Sequence, residues 1–183
     1  MTSSTRPPGR PRSSVEAEVF AATLRTIHDL GYTRATVERI AAATGIAKTT
    51  IYRRWPTKGA LVTACLVDTF EPLSFGVDSR EEDIAAAVRY GARQLAEPGV
   101  AAAFAGVFTD AIGDPGLREL LTTQLQDPYR QALMESLGLP EQRVLFVIDV
   151  VIGTLLHRMG ITGEPMVSDD VDTLIAMLQH ELR

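Results

Sequence analysis

The sequence predicts an all-α fold of about nine helices, in which a helix-turn-helix unit precedes a larger helical domain. Two observations support this prediction along the 183 residues. Capping residues and glycine or proline stops recur throughout, and the apolar side chains between them follow helical spacing. Alternating β-branched runs bounded by hairpin turns, which would indicate strands, do not occur.

The first two helices are bounded by clear start and stop signals. Ser13 and Glu16 form a capping box, so the first helix should begin there and end at Gly31. Thr36 is a suitable cap for the second helix, and Gly45 is a suitable end. The separation of these signals predicts a longer helix followed by a short one.

The third and fourth helices are separated by a proline. The third is predicted from about Lys48 to Trp55, where Pro56 breaks it. Thr57 caps the fourth, which should run to about Glu71.

The C-terminal part contains five more predicted helices. They span about residues 79–97, 100–113, 115–138, 140–160 and 168–183. Ser79 with Glu82 caps the first of these, and Asp114-Pro115 begins the third. Pro128 is expected to kink or split the third, because proline removes a helical hydrogen bond.

Charge is distributed unevenly along the chain. The net charge is -5. Residues 1–60 nevertheless hold ten cationic and four acidic side chains, whereas the remainder holds eight and nineteen. Both lysines, Lys48 and Lys58, lie in the first third. A basic end on an acidic body is typical of a protein that meets phosphate with one end only.

Residues 36–58 hold the most informative pattern, in which two short helices meet at a glycine turn. The second helix of such a unit enters the major groove of DNA with its first residues nearest the bases. The pattern therefore predicts DNA contacts. They are Lys48, Thr49 and Thr50 toward the bases, and Tyr52, Arg53, Arg54 and Lys58 toward phosphates. Arg53 and Arg54 could instead belong to an ordinary solvated face, and Ile46, Ile51 and Trp55 are expected to be scaffold.

Residues 1–12 are expected to form a disordered basic arm, because they combine three prolines with three arginines. Such an arm could place Arg10 and Arg12 in a narrow minor groove. The alternative is a leader that only improves solubility.

The segment from Thr36 to Leu61 resembles the DNA-binding domain of TetR-family transcriptional repressors. The residues that carry the resemblance are Ile40-Ala41, Gly45-Ile46, Lys48 to Pro56 and Lys58 to Leu61, and the likeness covers about residues 14–65. It implies a homodimer, a palindromic operator on double-stranded DNA and a C-terminal domain that binds a small molecule. It also implies DNA contacts at Thr36, Lys48, Thr50, Tyr52 and Lys58.

Two positions depart from the family pattern. Ala47 and Gly59 stand where a capping Ser and a Glu are common, and each should weaken its helix locally. The predicted domains are a basic arm at 1–12, a helix-turn-helix domain at 13–57 and a ligand-binding and dimerisation domain at 58–183.

The helix predicted at 140–160 is apolar on nearly every side, so it needs cover on more than one face. A two-fold partner would supply that cover, with the last helix completing a four-helix interface. The predicted interface residues are Val144, Val147, Ile148, Val151, Leu155, Leu174 and Leu178. The alternative is a central core helix of a monomer.

The helices between residues 79 and 138 are the candidates for a ligand site, because a few large side chains stand among many alanines. The predicted lining residues are Tyr90, Arg93, Phe104, Phe108, Thr109, Met134 and His157. Plain core packing is the alternative for each. The expected effector is apolar or amphipathic, and its binding is expected to lower the affinity for DNA.

Other classes of protein find little support in the sequence. The histidines are scattered, so no metal site is expected, and no nucleophile stands with a base, so neither an enzyme nor a cofactor is expected. Cys65 is the only cysteine. No signal peptide and no membrane-spanning run are apparent, so a cytoplasmic protein is expected. A helical dimer that binds small molecules without DNA, or an activator, remains the alternative function.

Overall fold

A computed structural model of the chain describes residues 12–70 and 79–182, with side chains from residue 15 onward in the first range. The regular elements in these ranges are all helical, which confirms the predicted fold class. They are α1 Arg12–Leu30, α2 Val37–Thr44, α3 Lys48–Arg54, α4 Lys58–Thr69, α5 Arg80–Ala96, α6 Val100–Gly113, α7 Pro115–Leu121, α8 Asp127–Leu137, α9 Glu141–Thr162 and α10 Ser168–Glu181.

The predicted caps hold for α2 and α4. The Thr36 hydroxyl accepts a hydrogen bond from the Arg39 amide at 3.4 Å, and the Thr57 hydroxyl accepts one from the Ala60 amide at 3.0 Å. Gly45 ends α2 in the left-handed region, with φ of 67°. These caps fix the two helix starts on which the turn between α2 and α3 depends.

Two predicted boundaries are displaced. The chain is already helical at Arg12, so Ser13 lies within the first turn of α1 and does not cap it. α4 ends at Thr69, and the predicted end at Glu71 lies outside the described residues.

Pro128 splits the long helix predicted at 115–138, as expected. α7 and α8 are continuous through a π-helical turn at Thr122–Gln126, so the described residues form nine helical rods. Pro128 lies in the first turn of α8 and donates no backbone hydrogen bond. The wider π turn is the usual way in which a helix absorbs such a missing bond.

The apolar side chains form two cores. We call α1–α3 with the N-terminal half of α4 the head, and α5–α10 the body. The head core consists of Val19, Ala22, Val37, Ile40, Ile51, Leu61 and Cys65. Ile46 and Trp55 pack against it half-buried, and the Trp55 ring centroid lies 5.3 Å from that of Phe20.

Two helices belong to both cores. α1 places Val19 in the head core and Ile27 in the body core, and α4 does the same with Leu61 and Val62. A domain boundary at residue 57 would therefore separate α4 from the head core, to which α4 contributes Leu61. α4 is a shared rod between the two parts.

Close contacts at glycine join the head to the body. The ring of Tyr32 lies against the backbone of α6 at Gly106, where a Cβ would come within 2.0 Å of the tyrosine Cγ. At Gly59, the first turn of α4 approaches Leu117 so closely that a Cβ would lie 2.8 Å from a leucine methyl carbon. The packing therefore explains the glycine at 59, where the family pattern favours Glu.

α9 and α10 run antiparallel and are linked by ion pairs at both ends. Arg143 lies 3.6 Å from the Glu181 carboxylate, and Arg158 lies 2.8 Å from that of Asp170. By length and apolar composition α9 could cross a bilayer, which corrects the expectation that no segment is long enough. One of its faces, however, packs into the body core.

The predicted dimer-interface residues lie mostly inside the protomer, and their part in a dimer stays a prediction. Six of them are buried inside the protomer, namely Val144, Val147, Val151, Leu155, Leu174 and Leu178, and Ile148 is half-buried. The spacing of the four residues on α9 places them on a single face of the helix. The sequence showed that α9 is apolar on several sides but not which side turns inward.

Replacing Gly106 with alanine should destabilise the protein, because the new methyl group would overlap the ring of Tyr32. We expect a loss of about 2 kcal/mol in the free energy of unfolding in urea, typical of overpacking. Gly160→Ala is the matched control: it is also within a helix, but a Cβ there meets nothing within 4 Å. That variant should gain up to about 1 kcal/mol from helix propensity. Equal stability of the two variants would contradict the close packing at the junction.

Candidate nucleic-acid interface and ligand cavity

Helix α3 presents cationic and hydroxyl side chains on the outer surface of the head. Lys48 is exposed at the start of the helix, and its ammonium lies 2.5 Å from the Glu38 carboxylate. Their hydrogen bond raises the pKa of Lys48 and lowers the pKa of Glu38. The same ammonium lies 5.6 Å from the centroid of the Tyr52 ring, one turn further along. Lys48 is therefore held in place and remains open to solvent.

The other predicted contacts on α3 differ in exposure. Thr49 and Arg53 are exposed, whereas Thr50 and Tyr52 are half-buried. Arg54 points to α1, where its guanidinium lies 2.6 Å from the Glu16 carboxylate. Arg54 thus joins α3 to α1, and a carboxylate already balances its charge.

Lys58 is held at the junction between head and body. Its ammonium donates a hydrogen bond to the Tyr32 carbonyl at 3.1 Å and lies 3.8 Å from the centroid of the Tyr32 ring. The hydroxyl of Tyr32 in turn donates to the Asp110 carboxylate of α6 at 2.5 Å. Burial, the hydrogen bond and the charge of Asp110 all raise the pKa of Tyr32, so the hydroxyl stays protonated and remains the donor.

The remaining predicted DNA contacts lie at the edges of the described chain or serve another role. Arg10 and the side chain of Arg12 lie outside the described residues. Thr36 is half-buried, and its hydroxyl caps α2.

The body holds a cavity of about 360 Å³ that is lined by α5, α6, the end of α7, the π turn, α8 and α9, and by Phe70 directly after α4. Its wall is almost entirely apolar. The lining residues are Phe70, Ile84, Ala87, Val88, Tyr90, Gly91, Phe104, Phe108, Leu121, Leu125, Gln126, Tyr129, Leu133, Leu137, Val147, Ile148, Asp149, Val151, Ile152, Gly153 and Leu156. A cavity of this size and character suits a small organic molecule.

Three of the seven predicted ligand residues, Tyr90, Phe104 and Phe108, line this cavity. The other four do not, which corrects the prediction. They are Arg93 and His157, which are exposed, Thr109, whose hydroxyl donates to the Ala105 carbonyl, and Met134, which packs against the body core. The physical reason is helical phase: each stands on a face of its helix that turns away from the cavity.

Sequence reasoning missed three parts of the wall. Phe70 follows directly after α4, Leu125 and Gln126 come from the π turn, and one side of α9 contributes Asp149 and Gly153. The proline at 128 was a signal for the π turn. On α9 the sequence predicted only His157 as a ligand residue, because the apolar residues of this helix read equally well as interface.

Aromatic rings connect the cavity to the end of α4. Phe70 meets Tyr90 and Phe104 edge-on, at centroid distances of 6.2 Å and 5.1 Å, and Phe104 meets Phe108 at 5.2 Å. The carbonyl of Thr69 accepts hydrogen bonds from the Tyr90 hydroxyl and the Gln94 amide of α5. The last turn of α4 is thereby fixed to the cavity wall.

Cys65 is a free thiol buried in the head core. Burial raises the pKa of the Cys65 thiol well above its usual range, so it is a poor nucleophile. Within 12–70 and 79–182, His, Cys, Asp and Glu form no group of three that could hold a metal ion.

Two family models match successive parts of the chain. Residues 19–65 match the model described as "Bacterial regulatory proteins, tetR family", and residues 78–178 match "Tetracyclin repressor-like, C-terminal domain". The first match covers the head and the second covers most of the body. Together they agree with the two cores.

Several proteins are similar to this chain over most of their length. HTH-type transcriptional regulators from Mycobacterium tuberculosis and Mycobacterium bovis are each 28% identical over 181 residues, which covers 90% of this chain and 86% of theirs. Among solved structures, the fatty acid degradation regulator FadR from Bacillus halodurans has a TM-score of 0.68 at 17% identity, covering 93% of this chain and 96% of that one. A TetR family transcriptional regulator from Pseudomonas syringae has a TM-score of 0.66 at 14% identity, covering 94% and 96%. Both likenesses concern the fold.

Proposed function

Because the chain belongs to the TetR family of bacterial regulatory proteins, we propose that it is a ligand-responsive repressor that binds a palindromic operator as a homodimer. The family membership makes it a transcriptional regulator with a helix-turn-helix DNA-binding domain, in a family that is typically not enzymatic. The observation that carries the finer proposal is the arrangement of α4 and α6. α4 begins at the head and ends beside Phe70 on the cavity wall, and α6 alternates residues that line the cavity with residues that contact Tyr32. Such a regulator acts in the cytoplasm.

In this proposal DNA is bound by the exposed face of α3. Lys48, Thr49 and Thr50 lie at the start of the helix and read the major groove, while Tyr52 and Arg53 contact phosphates. Lys58 adds a phosphate contact from the first turn of α4. Thr36, Arg54, Arg10 and Arg12 have secondary roles, since Arg54 is already paired with Glu16. The basic head and acidic body support binding through this end alone.

The homodimer is formed through the outer faces of α9 and α10. Phe146 is 58% exposed and Met177 is 64% exposed, which is unusual for large apolar side chains. The ion pairs that set the antiparallel register place these two residues level with each other on the two helices.

The effector acts through α4 and α6. A ligand in the cavity meets Phe70 at the end of α4 and Phe104 and Phe108 on α6. The same α6 holds Tyr32 through Asp110, and Tyr32 holds Lys58. A ligand that favours one arrangement of these helices therefore changes the position of the heads, and with it the affinity for the operator. The second reading is a dimeric small-molecule-binding protein without DNA binding, or an activator. A test of DNA binding distinguishes the first of these alternatives from the proposed repressor.

Removing the Lys48 side chain should weaken DNA binding, and removing the charge of its partner Glu38 should strengthen DNA binding. In mobility shifts on the promoter next to its own gene, Lys48→Ala should lower affinity by roughly tenfold and reduce the dependence of log affinity on log salt by about one. Glu38→Gln should raise affinity, because the ion pair no longer competes with phosphate. Arg93→Ala removes an exposed cation from the body and is the matched control. Equal losses for Lys48→Ala and Arg93→Ala would refute binding through α3.

Placing a carboxylate on the outer face of α9 should break the dimer. Phe146→Glu should sediment at the 19.9 kDa of one chain at concentrations where the wild type sediments as a dimer, because the charge would be buried without a partner. Ile112→Glu is the control, since Ile112 is 80% exposed on α6, away from α9 and α10. A Phe146→Glu dimer of unchanged stability would exclude this face as the interface.

Cutting the bond between Tyr32 and Asp110 should loosen the head without altering its DNA-reading surface. Tyr32→Phe keeps the ring on Gly106 and under Lys58 but removes the hydroxyl. Affinity for a full palindrome should fall by about fivefold, because the two heads are less well fixed relative to each other. Affinity for a single half-site should stay unchanged. A similar loss on the half-site would instead mean that Tyr32 shapes the DNA surface directly.

A further inference from the structure

Among the described residues, the wall of the cavity carries one carboxylate and no cation. Of the lining residues that the structure describes, Asp149 alone has a carboxylate side chain, and none is Lys, Arg or His. Gln126 and the two tyrosines supply the other polar atoms, and the remaining lining residues are apolar or glycine. The electrostatic character of this cavity is therefore neutral to negative.

Asp149 stands at the opening and has no partner. It lines the cavity and is exposed, so it lies where the cavity meets solvent. Within the described residues it forms neither a hydrogen bond nor an ion pair. The arginines on the same helix are engaged elsewhere: Arg143 pairs with Glu181, and Arg158 pairs with Asp170. On α8, Arg130 pairs with Asp127 and Glu141.

The helical phase of α9 explains why a carboxylate lies at this position. Asp149 and Gly153 are one turn apart and both line the cavity, on the side of α9 between its buried face and the exposed Phe146. The opening therefore borders the proposed dimer face. Glycine at 153 leaves space directly beside the carboxylate, since a Cβ there would meet nothing within 4 Å.

Aromatic rings add to the preference for positive charge. Phe108 is 39% exposed and lines the cavity together with Phe104, and the faces of such rings attract cations. An anionic group in this cavity would leave water without gaining a cationic partner, which is costly. A neutral apolar molecule would satisfy the wall but leave Asp149 unused.

We propose that the effector is an apolar organic cation, a hydrophobic amine or quaternary ammonium compound, whose apolar part fills the cavity and whose charge pairs with Asp149. The inference rests on the proposed function, since it names the class of ligand for that same cavity. Asp149 is then the residue that sets specificity for charge, while the aromatic and aliphatic wall sets the size.

The test compares three probes that share one chain and differ in charge: decyltrimethylammonium, 1-decanol and decanoate. Binding to the full-length protein is measured by calorimetry below the micelle concentration, and release of promoter DNA is followed in parallel. The cation should bind at least tenfold more tightly than decanoate and several-fold more tightly than decanol. Only its affinity should fall with added salt, because only that complex contains an ion pair.

Variants of two carboxylates make the result specific. Asp149→Asn should reduce the affinity for the cation to that for decanol and leave decanol unchanged. Glu164→Gln removes an exposed carboxylate in the segment after α9 and should alter none of the three affinities. Circular dichroism and thermal unfolding verify that both variants fold as the wild type does.

The outcomes separate this inference from the function on which it rests. Decanol or decanoate binding as tightly as the cation, an Asp149→Asn variant that keeps the preference, or no binding of any probe would each overturn the inference. If decanol nevertheless releases DNA, the ligand-responsive repressor stands and only the charge preference fails. A protein that binds no promoter DNA, with or without probe, contradicts the proposed function itself.

Discussion

The contact between Tyr32 and Gly106 is the constraint on which the rest of this structure depends. The ring lies directly against the backbone of α6, in a space that any side chain at position 106 would fill. From there its hydroxyl reaches Asp110, and its carbonyl and ring hold Lys58. A single side chain therefore connects the loop after α1, the first turn of α4 and the middle of α6, and so fixes the head on the body.

Helices α4 and α6 extend this contact from the head to the cavity. α4 has 12 residues, so it spans about 18 Å from Lys58 to the cavity wall. α6 lines the cavity with Phe104 and Phe108. It contacts Tyr32 through Gly106, which lies between these two residues, and through Asp110, which lies just beyond them. Because helices with satisfied backbone hydrogen bonds bend little over such lengths, a displacement at one end is carried to the other. The head and the cavity are coupled through packing, and no flexible linker separates them.

Several charged side chains join helices through ion pairs, whereas Lys48 and Asp149 are open to solvent. Arg54, Arg143 and Arg158 are each joined to a carboxylate and serve to hold helices together. Lys48 is paired but exposed, so phosphate can compete for it. Asp149 lacks a partner among the described residues, in a cavity whose wall is otherwise apolar. We therefore propose that cations of the head recognise DNA and that a carboxylate of the body recognises the effector.

Local signals in the sequence determined the helices, their caps and the DNA-reading unit. Thr36, Gly45 and Thr57 act through their own backbone and the next few residues, so their roles were readable without tertiary structure. The split at Pro128 was readable for the same reason. The basic composition of the first sixty residues likewise identified the end that meets DNA.

The tertiary structure alone decided which side of each apolar helix faces which neighbour. Val144, Val147, Val151 and Leu155 were equally compatible with a dimer interface and with the core, and packing against the body buried them. Arg93 was the predicted charged group of the ligand site, and only the rotation of the helices showed that Asp149 lines the cavity instead. The glycine at 59 looked like a weakness in a helix until Leu117 was found against it. Hydrophobic periodicity fixes that a face is apolar, but the partner that covers it is set by contacts between residues far apart in the chain.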